Sequence, residues 1–230
     1  MAFLEDGQAA YVLHSRPYRD TSLLVDFFTL EHGKVSAVVR GAKRPNSRLR
    51  PVIQPFLPLQ IGWRGRQELK TLTTAEPVDR NTFLSGTPLM CGLYLNELLE
   101  RLLQPLDPHP HLYVYYQYVV NELSSGSDVE GALRTFERRL LLELGHGAAL
   151  DQLDPDGIYL YEPEQGLQRI AQPTDQNRMR CFYGRHLLAI GQDSYDQPAV
   201  RQAAKRLMRL QMDRLLGDKP LRSRELFQKR

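Results

Sequence analysis

At 230 residues, with 42% hydrophobic and 25% charged side chains, the chain has an ordinary globular composition and enough length for one large domain or two modest ones. No apolar run approaches the roughly 20 residues of a membrane-spanning helix, and the opening MAFLEDGQAA carries acids where a secretory leader has a basic end, so a cytoplasmic protein is expected. The net charge of +3 conceals segregation: 12 basic against 8 acidic residues in 1–80, 8 against 16 in 81–198, and 10 against 3 in 199–230; local distribution, not net charge, marks a nucleic-acid footprint.

From residue 8 to 77 the sequence reads as strands. AAYVLHSR, SLLVDFFTL, KVSAVVR, VIQPFLPLQIGW and ELKTLTTAEPV are β-branched, aromatic or alternating runs of strand length. EHG at 31–33 and RGR at 64–66 predict hairpins, whereas RPYRD and VRGAKRPNSRLRP (39–51) read as longer polar joins. Five strands in about seventy residues predict a small closed antiparallel barrel, for which the OB-fold is the commonest form that leaves a binding face and long loops. Pro51, Pro55 and Pro58 predict a fourth strand that is bent or lies at an edge.

Beyond residue 86 the period becomes helical. Leu89 to Leu103 marks a first helix closed by Pro105, Leu112 to Leu123 a second ending at SSGS, and Val129, Leu133, Phe136, Leu140 and Leu144 a third that stops at Gly145. Ser127 and Glu130 have the spacing of a capping box for the third. IYLYEPEQGLQRI (158–170) reads as a hairpin inside a segment of about 156–172, and helices follow at 183–191, 196–216 and 221–228. The fold class is therefore α+β, with an OB-fold barrel over 1–80 and a helical domain with a β-hairpin over 81–230.

Enzymatic signatures are poor: GxSxG, GxxxxGK[ST], HExxH and a helix-opening GxGxxG are all missing. His109 and His111 fall in a Pro-rich stretch that reads as a solvated loop, and Glu97, Glu100, Glu137 and Glu143 lie at helix-surface spacings near Arg101, Arg134, Arg138 and Arg139. Cys91 and Cys181, ninety positions apart, fit neither a disulfide framework nor a zinc motif and are expected to be buried. The stretch from Lys34 to Arg66 stands apart, with eight basic residues and no acid between Glu31 and Glu68. Such a run predicts a positive groove that follows a phosphate backbone. Tyr11, Tyr18, Phe27, Phe28, Phe56 and Trp63 are nearby, and most are expected to fill the barrel. An RNA-binding barrel protein and a hydrolase with a dispersed site are the competing readings.

AAYVLHSRPYRDTSLLVDFFTLEHGKVSAVVRGAKR, with LYLNELLERLL, LRTFERRLLLELGHG and GDKPLRSRELF, resembles the RecO family of bacterial DNA repair and recombination mediators almost end to end. The resemblance implies an OB-fold followed by a helical domain, no enzymatic turnover, single- and double-stranded DNA binding and annealing of complementary strands. It also implies partnership with RecR and with the tail of the single-strand-binding protein, and indirect action on RecA at the nucleoid. Many relatives hold a four-cysteine zinc site near the hairpin. This chain lacks those cysteines, so a zinc-free, cofactor-free member is expected, its hairpin held by Ile158, Leu160, Leu167 and Ile170.

Two DNA contacts are expected. The first is Lys34 with a mobile loop carrying Arg40, Lys43, Arg44, Arg48 and Arg50. The second is Arg201, Lys205 and Arg209, with Arg206 and Arg214 on another face of the same helix. The resemblance places capture of the acidic, Phe-ended tail on the third helix, where LRTFE matches the family's LRRFE: Arg134 and Arg138 for the charge, Leu133 and Phe136 for the ring. Without a partner, Arg134 would pair with Glu130.

Overall fold

The computed structural model describes residues 4–79 and 83–227, which form two compact units, one of residues up to 126 together with those from 221 onward, the other of residues 127–220. The expected division at residue 80 lies outside the described residues.

In the first unit β1 (Leu4–Tyr18), β2 (Ser22–Thr29), β3 (Gly33–Val39), β4 (Leu59–Arg64) and β5 (Lys70–Pro77) close into a barrel of order β1-β2-β3-β5-β4. This is the five-stranded OB arrangement the strand spacing predicts. Val12, Val25, Phe27, Val35, Ile61 and Trp63 fill its interior. Two expectations need correction. The closing β3–β5 pair is parallel, at Ala37–Lys70 and Val38–Thr71, so the barrel is not wholly antiparallel. The fourth strand does not lie at an edge: it begins only after Pro58 and pairs on both sides, because the prolines occupy the approach to it.

β1 also runs on through the RPY that reads as a join, reaching Tyr18 opposite Ser22. Its register slips between Val12 and His14, and a bulge leaves backbone carbonyls in need of partners. Asn96, on helix α1 (Gly86–Leu102), meets that need. Its Nδ2 donates to the Val12 and Leu13 carbonyls at 3.2 and 3.0 Å, while its Oδ1 accepts from the Tyr116 hydroxyl at 2.6 Å. Tyr116 and Tyr113 belong to α2 (Pro110–Ser125) and pack against Tyr11 and Phe28 on the outer surface of β1 and β2. Burial pushes the Tyr11 hydroxyl up to about 12.

The β2–β3 hairpin is clamped to the α1–α2 connection. Gly33 has φ 64°, and a side chain there would collide with the Asp107 backbone, so only glycine fits. His109 and His111 do not lie in a solvated loop: His109 is the buried residue that precedes Pro110 at the start of α2, and His111 lies in its exposed first turn.

The chain end returns to this unit. Glu97 on α1 accepts from the Arg222 and Ser223 amides at 2.9 and 2.8 Å and from the Ser223 hydroxyl at 2.6 Å, seating the short α6 (Ser223–Leu226) while Leu221 is buried beside it. The expected helix at 221–228 is thus shorter, its last residue lying outside the described ones.

The second unit packs α3 (Val129–Glu143), α4 (Gly184–Gly191) and α5 (Pro198–Leu216) with a small sheet of order β7-β6-β8. The cap of α3 is Asp128 rather than Ser127, accepting from the Gly131 amide at 3.1 Å. The hairpin β6 (Ile158–Glu162) and β7 (Gly166–Ile170) forms as expected, but β8 (Cys181–Tyr183) adds a third strand. Its buried side is Tyr159 and Tyr161. Strand alternation turns Ile158 and Leu160 to the other face, half-buried, and of the apolar set expected to hold the hairpin Leu167, opposite Tyr161, lies on the tyrosine side. Cys91 and Cys181 are both buried, and no group of three His, Cys, Asp or Glu side chains among the described residues is placed to hold a metal. No described helix is long and apolar enough to cross a membrane.

Two predictions follow from the ties of the first unit. Asn96→Leu keeps the branched shape and strands the bulge carbonyls, so urea unfolding is expected to show a loss of roughly 2–5 kcal/mol. Burial disfavours the ionised Glu97, but the hydroxyl and amide donors and Arg101 outweigh it and hold the carboxyl below its ordinary 4.5. Folding therefore gains from Glu97 above that value and loses the gain as pH falls through the depressed one. Limited proteolysis should release residues after 220 more readily in acid, and Glu97→Gln should show that release at neutral pH.

Candidate nucleic-acid interface

One rung crosses all five strands of the barrel. Reading across the ladders, Arg16 lies opposite Leu24, Leu24 opposite Val38, Val38 opposite Thr71, and Thr71 opposite Arg64. Side chains on one rung lie on the same side of the sheet, and here it is the outer one, since Val25, Ala37, Val39 and Trp63 on alternate positions point inward. Because the barrel is closed, a rung that crosses all five strands runs around it, and half-buried Leu24, Val38 and Thr71 and exposed Arg16 and Arg64 lie on its outer surface without sharing one face. Nearer the other end of β1, Tyr11 and Phe28 are covered by α2, so the same sheet is closed at one end and open at the other.

The cation-rich segment lies beside this open end. Lys43 donates its amide to the Thr21 carbonyl at 2.9 Å, bringing Arg40, Lys43 and Arg44 next to the β1–β2 turn that carries Arg19. It is not the free loop expected. Successive turns (Arg44 to Gly41, Ser47 to Arg44, Ile53 to Leu49) order it, and Ala42 and Ile53 plug into the barrel interior. Phe56 then packs on Gly92 of α1, where a side chain would strike its ring. The apolar residues among the cations are anchors, and they hold Arg40, Lys43, Arg44, Arg48 and Arg50 outward. All five are exposed, and none forms an ion pair with a described residue.

Lys34 is not among them. Its ammonium is half-buried and donates to the Glu100 carbonyl at the end of α1 at 2.6 Å, and its own carbonyl accepts from the Leu106 amide. Burial lowers its pKa, with Asp26 and Glu100 opposing. It clamps the hairpin to the helix. Among the aromatics, Tyr11, Phe27, Phe28, Phe56 and Trp63 are buried, and Tyr18 alone of the six is partly open, with Arg19 5.2 Å from its ring centre. The sequence reading named Tyr18 among the nearby aromatics but did not single out Arg16, Arg19 and Arg64, which are exposed on the same barrel. The period-two spacing of His14, Arg16 and Tyr18 was the available signal, hidden by Pro17 and by the bulge just before it.

The cations of α5 divide. Lys205 and Arg209 are exposed one turn apart, whereas Arg201 grips Asp128 at 2.6 and 3.1 Å and donates to the Tyr195 carbonyl. Arg206 donates to the Cys181 carbonyl, and Arg214 to Pro163 and Glu164.

On α3, Leu133, Arg134 and Phe136 are buried. Arg134 contacts Glu137 at 2.8 Å, not Glu130, and Glu137 is itself buried rather than on a helix surface. Arg138 is held by Asp193 at 2.9 Å, with Arg139 on the same carboxylate. The nearest open space is a cavity of about 390 Å³ where Arg138 meets Leu142, Leu150 and Leu188, and Leu142 is 43% exposed.

A closed five-stranded barrel with one end sheathed by helices and the other ringed by unpaired cations is the build of an OB-fold nucleic-acid-binding protein. Residues 4–81 match the family described as Recombination protein O N terminal, and residues 85–152 match Recombination protein O C terminal. A DNA repair protein RecO of Ralstonia nicotianae is 44% identical over 226 residues, covering 96% of this chain and 83% of that protein. Its counterpart from Pseudomonas paraeruginosa is 45% identical over 230 residues (97% and 95%), and that from Nitrosospira multiformis 41% over 235 (97% and 95%). The chain belongs to the RecO family of DNA repair proteins.

Proposed function

We propose that this protein is a non-enzymatic recombination mediator of the bacterial nucleoid. It binds single- and double-stranded DNA, anneals complementary strands and, with RecR, helps RecA replace the single-strand-binding protein. The observation that carries this reading is the open barrel end, where five exposed cations are held beside the β1–β2 turn that carries Arg19. Cations there neutralise phosphates, and Tyr18 supplies a ring for a base. Lys205 and Arg209 offer a smaller second contact. Arg201 takes no part in it, since its charge is spent on Asp128.

If about five phosphates are neutralised, log affinity for a single strand should fall with log salt at a slope of about −3.5. Replacing Arg40, Lys43, Arg44, Arg48 and Arg50 together by Ala is expected to flatten that slope and slow annealing while leaving thermal unfolding nearly unchanged. A slope that survives the five substitutions moves the site elsewhere, and equal or tighter binding of RNA with no annealing of DNA would favour an RNA-binding function.

For the tail of the single-strand-binding protein, the cavity beside Arg138 and Leu142 is a better receptor than the buried Leu133, Arg134 and Phe136, because a ring can enter it without unpacking α3. Leu142→Glu is expected to weaken a tail peptide at least tenfold in calorimetry at unchanged stability. Arg134→Ala, by contrast, uncovers a buried carboxylate and is expected to cost roughly 3–5 kcal/mol of folding. Wild-type peptide affinity in Leu142→Glu would exclude the cavity.

A further inference from the structure

The second unit holds another set of cations that DNA binding at the barrel leaves unused. A cavity of about 220 Å³ is lined by Arg178, Phe182, Tyr183, His186, Gln202 and Arg206, together with smaller apolar residues. Three elements supply its polar groups: Arg178 comes from the 3-10 turn Arg178–Arg180, His186 from α4, and Gln202 and Arg206 from α5. No Asp or Glu is among its described lining residues.

Arg206 is the unusual member. Its Nη2 donates to the Cys181 carbonyl at 2.7 Å, and its guanidinium carbon lies 4.6 Å from the centre of the Phe182 ring. Its Nε is buried and meets no acceptor among the described residues. A partly buried cation held by one carbonyl and a ring face, with no carboxylate bonded to it among the described residues, is costly unless an anion shares the site. Burial lowers its pKa, with Cys181 opposing. Burial also lowers that of His186, and the Arg185 and Arg206 charges add to the effect, so the cations around this space raise one another's energy. Arg178 has an acid partner in Asp175, but that carboxylate is 95% exposed and leaves the guanidinium open to a second anion.

We propose that this cavity is a phosphate-binding site, with Arg206 as the principal ligand and Arg178, His186 and the Gln202 amide completing the donors. A guanidinium fixed in plane by a ring suits the planar spacing of phosphate oxygens, and an amide adds a donor without charge. The volume is below the roughly 300–1,000 Å³ of drug-sized ligand sites, so it admits a phosphate group and not the base and sugar of a nucleotide. The phosphate is either inorganic or part of a nucleic-acid strand.

The test is titration of the full-length protein with inorganic phosphate against chloride at equal ionic strength, following the Arg206 Nε–H and His186 resonances. The expected result is a saturable shift confined to this cavity. Gln202→Glu, an exposed change that puts an acid on the rim, should weaken phosphate at least tenfold without lowering phosphate-free stability, and Arg206→Met should abolish binding. Oligonucleotides with a 5′-phosphate or a 5′-hydroxyl then assign the source. Displacement by the first alone points to strand ends, displacement by both to backbone phosphates, and displacement by neither to inorganic phosphate. A shift that chloride reproduces, or equal phosphate affinity in Gln202→Glu, overturns the proposal. Barrel binding is read separately from the salt slope, so either site can fail alone.

Discussion

Asn96 is where the barrel, α1 and α2 become one object. A bulge in β1 turns two carbonyls away from the ladder, and a single amide accepts the task of satisfying them while taking the Tyr116 hydroxyl on its other side. In a low-dielectric interior each of these groups would be expensive alone, and together they cost little because every donor meets an acceptor. The bulge also changes which face the rest of β1 shows. The long strand curls from β4 to β2, and past the bulge its side chains alternate so that Arg16 and Tyr18 lie outward on the side the helices leave uncovered. A buried hydrogen-bond network at one end of the barrel thus sets the register of the binding surface at the other.

Charge on this protein sorts by what surrounds it, not by residue type. Lys34 and Arg40 are six positions apart on and just beyond one strand, yet Lys34 closes the end of a helix while Arg40 faces solvent beside the β1–β2 turn. Arg201 and Lys205 are one helical turn apart, and the first is consumed by the Asp128 that also caps α3. Among the described residues the five loop cations at the barrel end and Lys205 and Arg209 on α5 form no ion pair, while Arg206 beside Phe182 keeps a buried Nε that meets no acceptor.

The fold was largely legible because its signals are local. Period-two runs, hairpin glycines and the change to leucine-rich helical spacing locate the five barrel strands and the helices, although β1 starts earlier, at Leu4, and β4 later, at Leu59, and the quoted motifs identify the family. What the sequence could not reveal is pairing between distant positions. Nothing near Arg138 announces that Asp193 holds it, nothing near Glu97 points to Ser223, and β8 is only three residues long. The cation run was legible as charge. That Ala42 and Ile53 nail it to the core, and that Lys43 ties it to the β1–β2 turn, depends on contacts between distant positions.

The return of the chain end to Glu97 has a consequence for biosynthesis. Residues 127–220 are an insertion between two parts of the first unit, and the closing bond to Arg222 joins positions 125 apart. At ribosomal rates of about 5–20 residues per second, roughly 6–25 s pass between the emergence of the two partners. Through that interval the Glu97 carboxylate faces solvent on α1 and the site for Leu221 is uncovered, while the barrel already has all five strands. The barrel end that carries the cations is therefore complete on the nascent chain before the second unit exists, and the docking of Arg222 and Ser223 on Glu97 can only follow it.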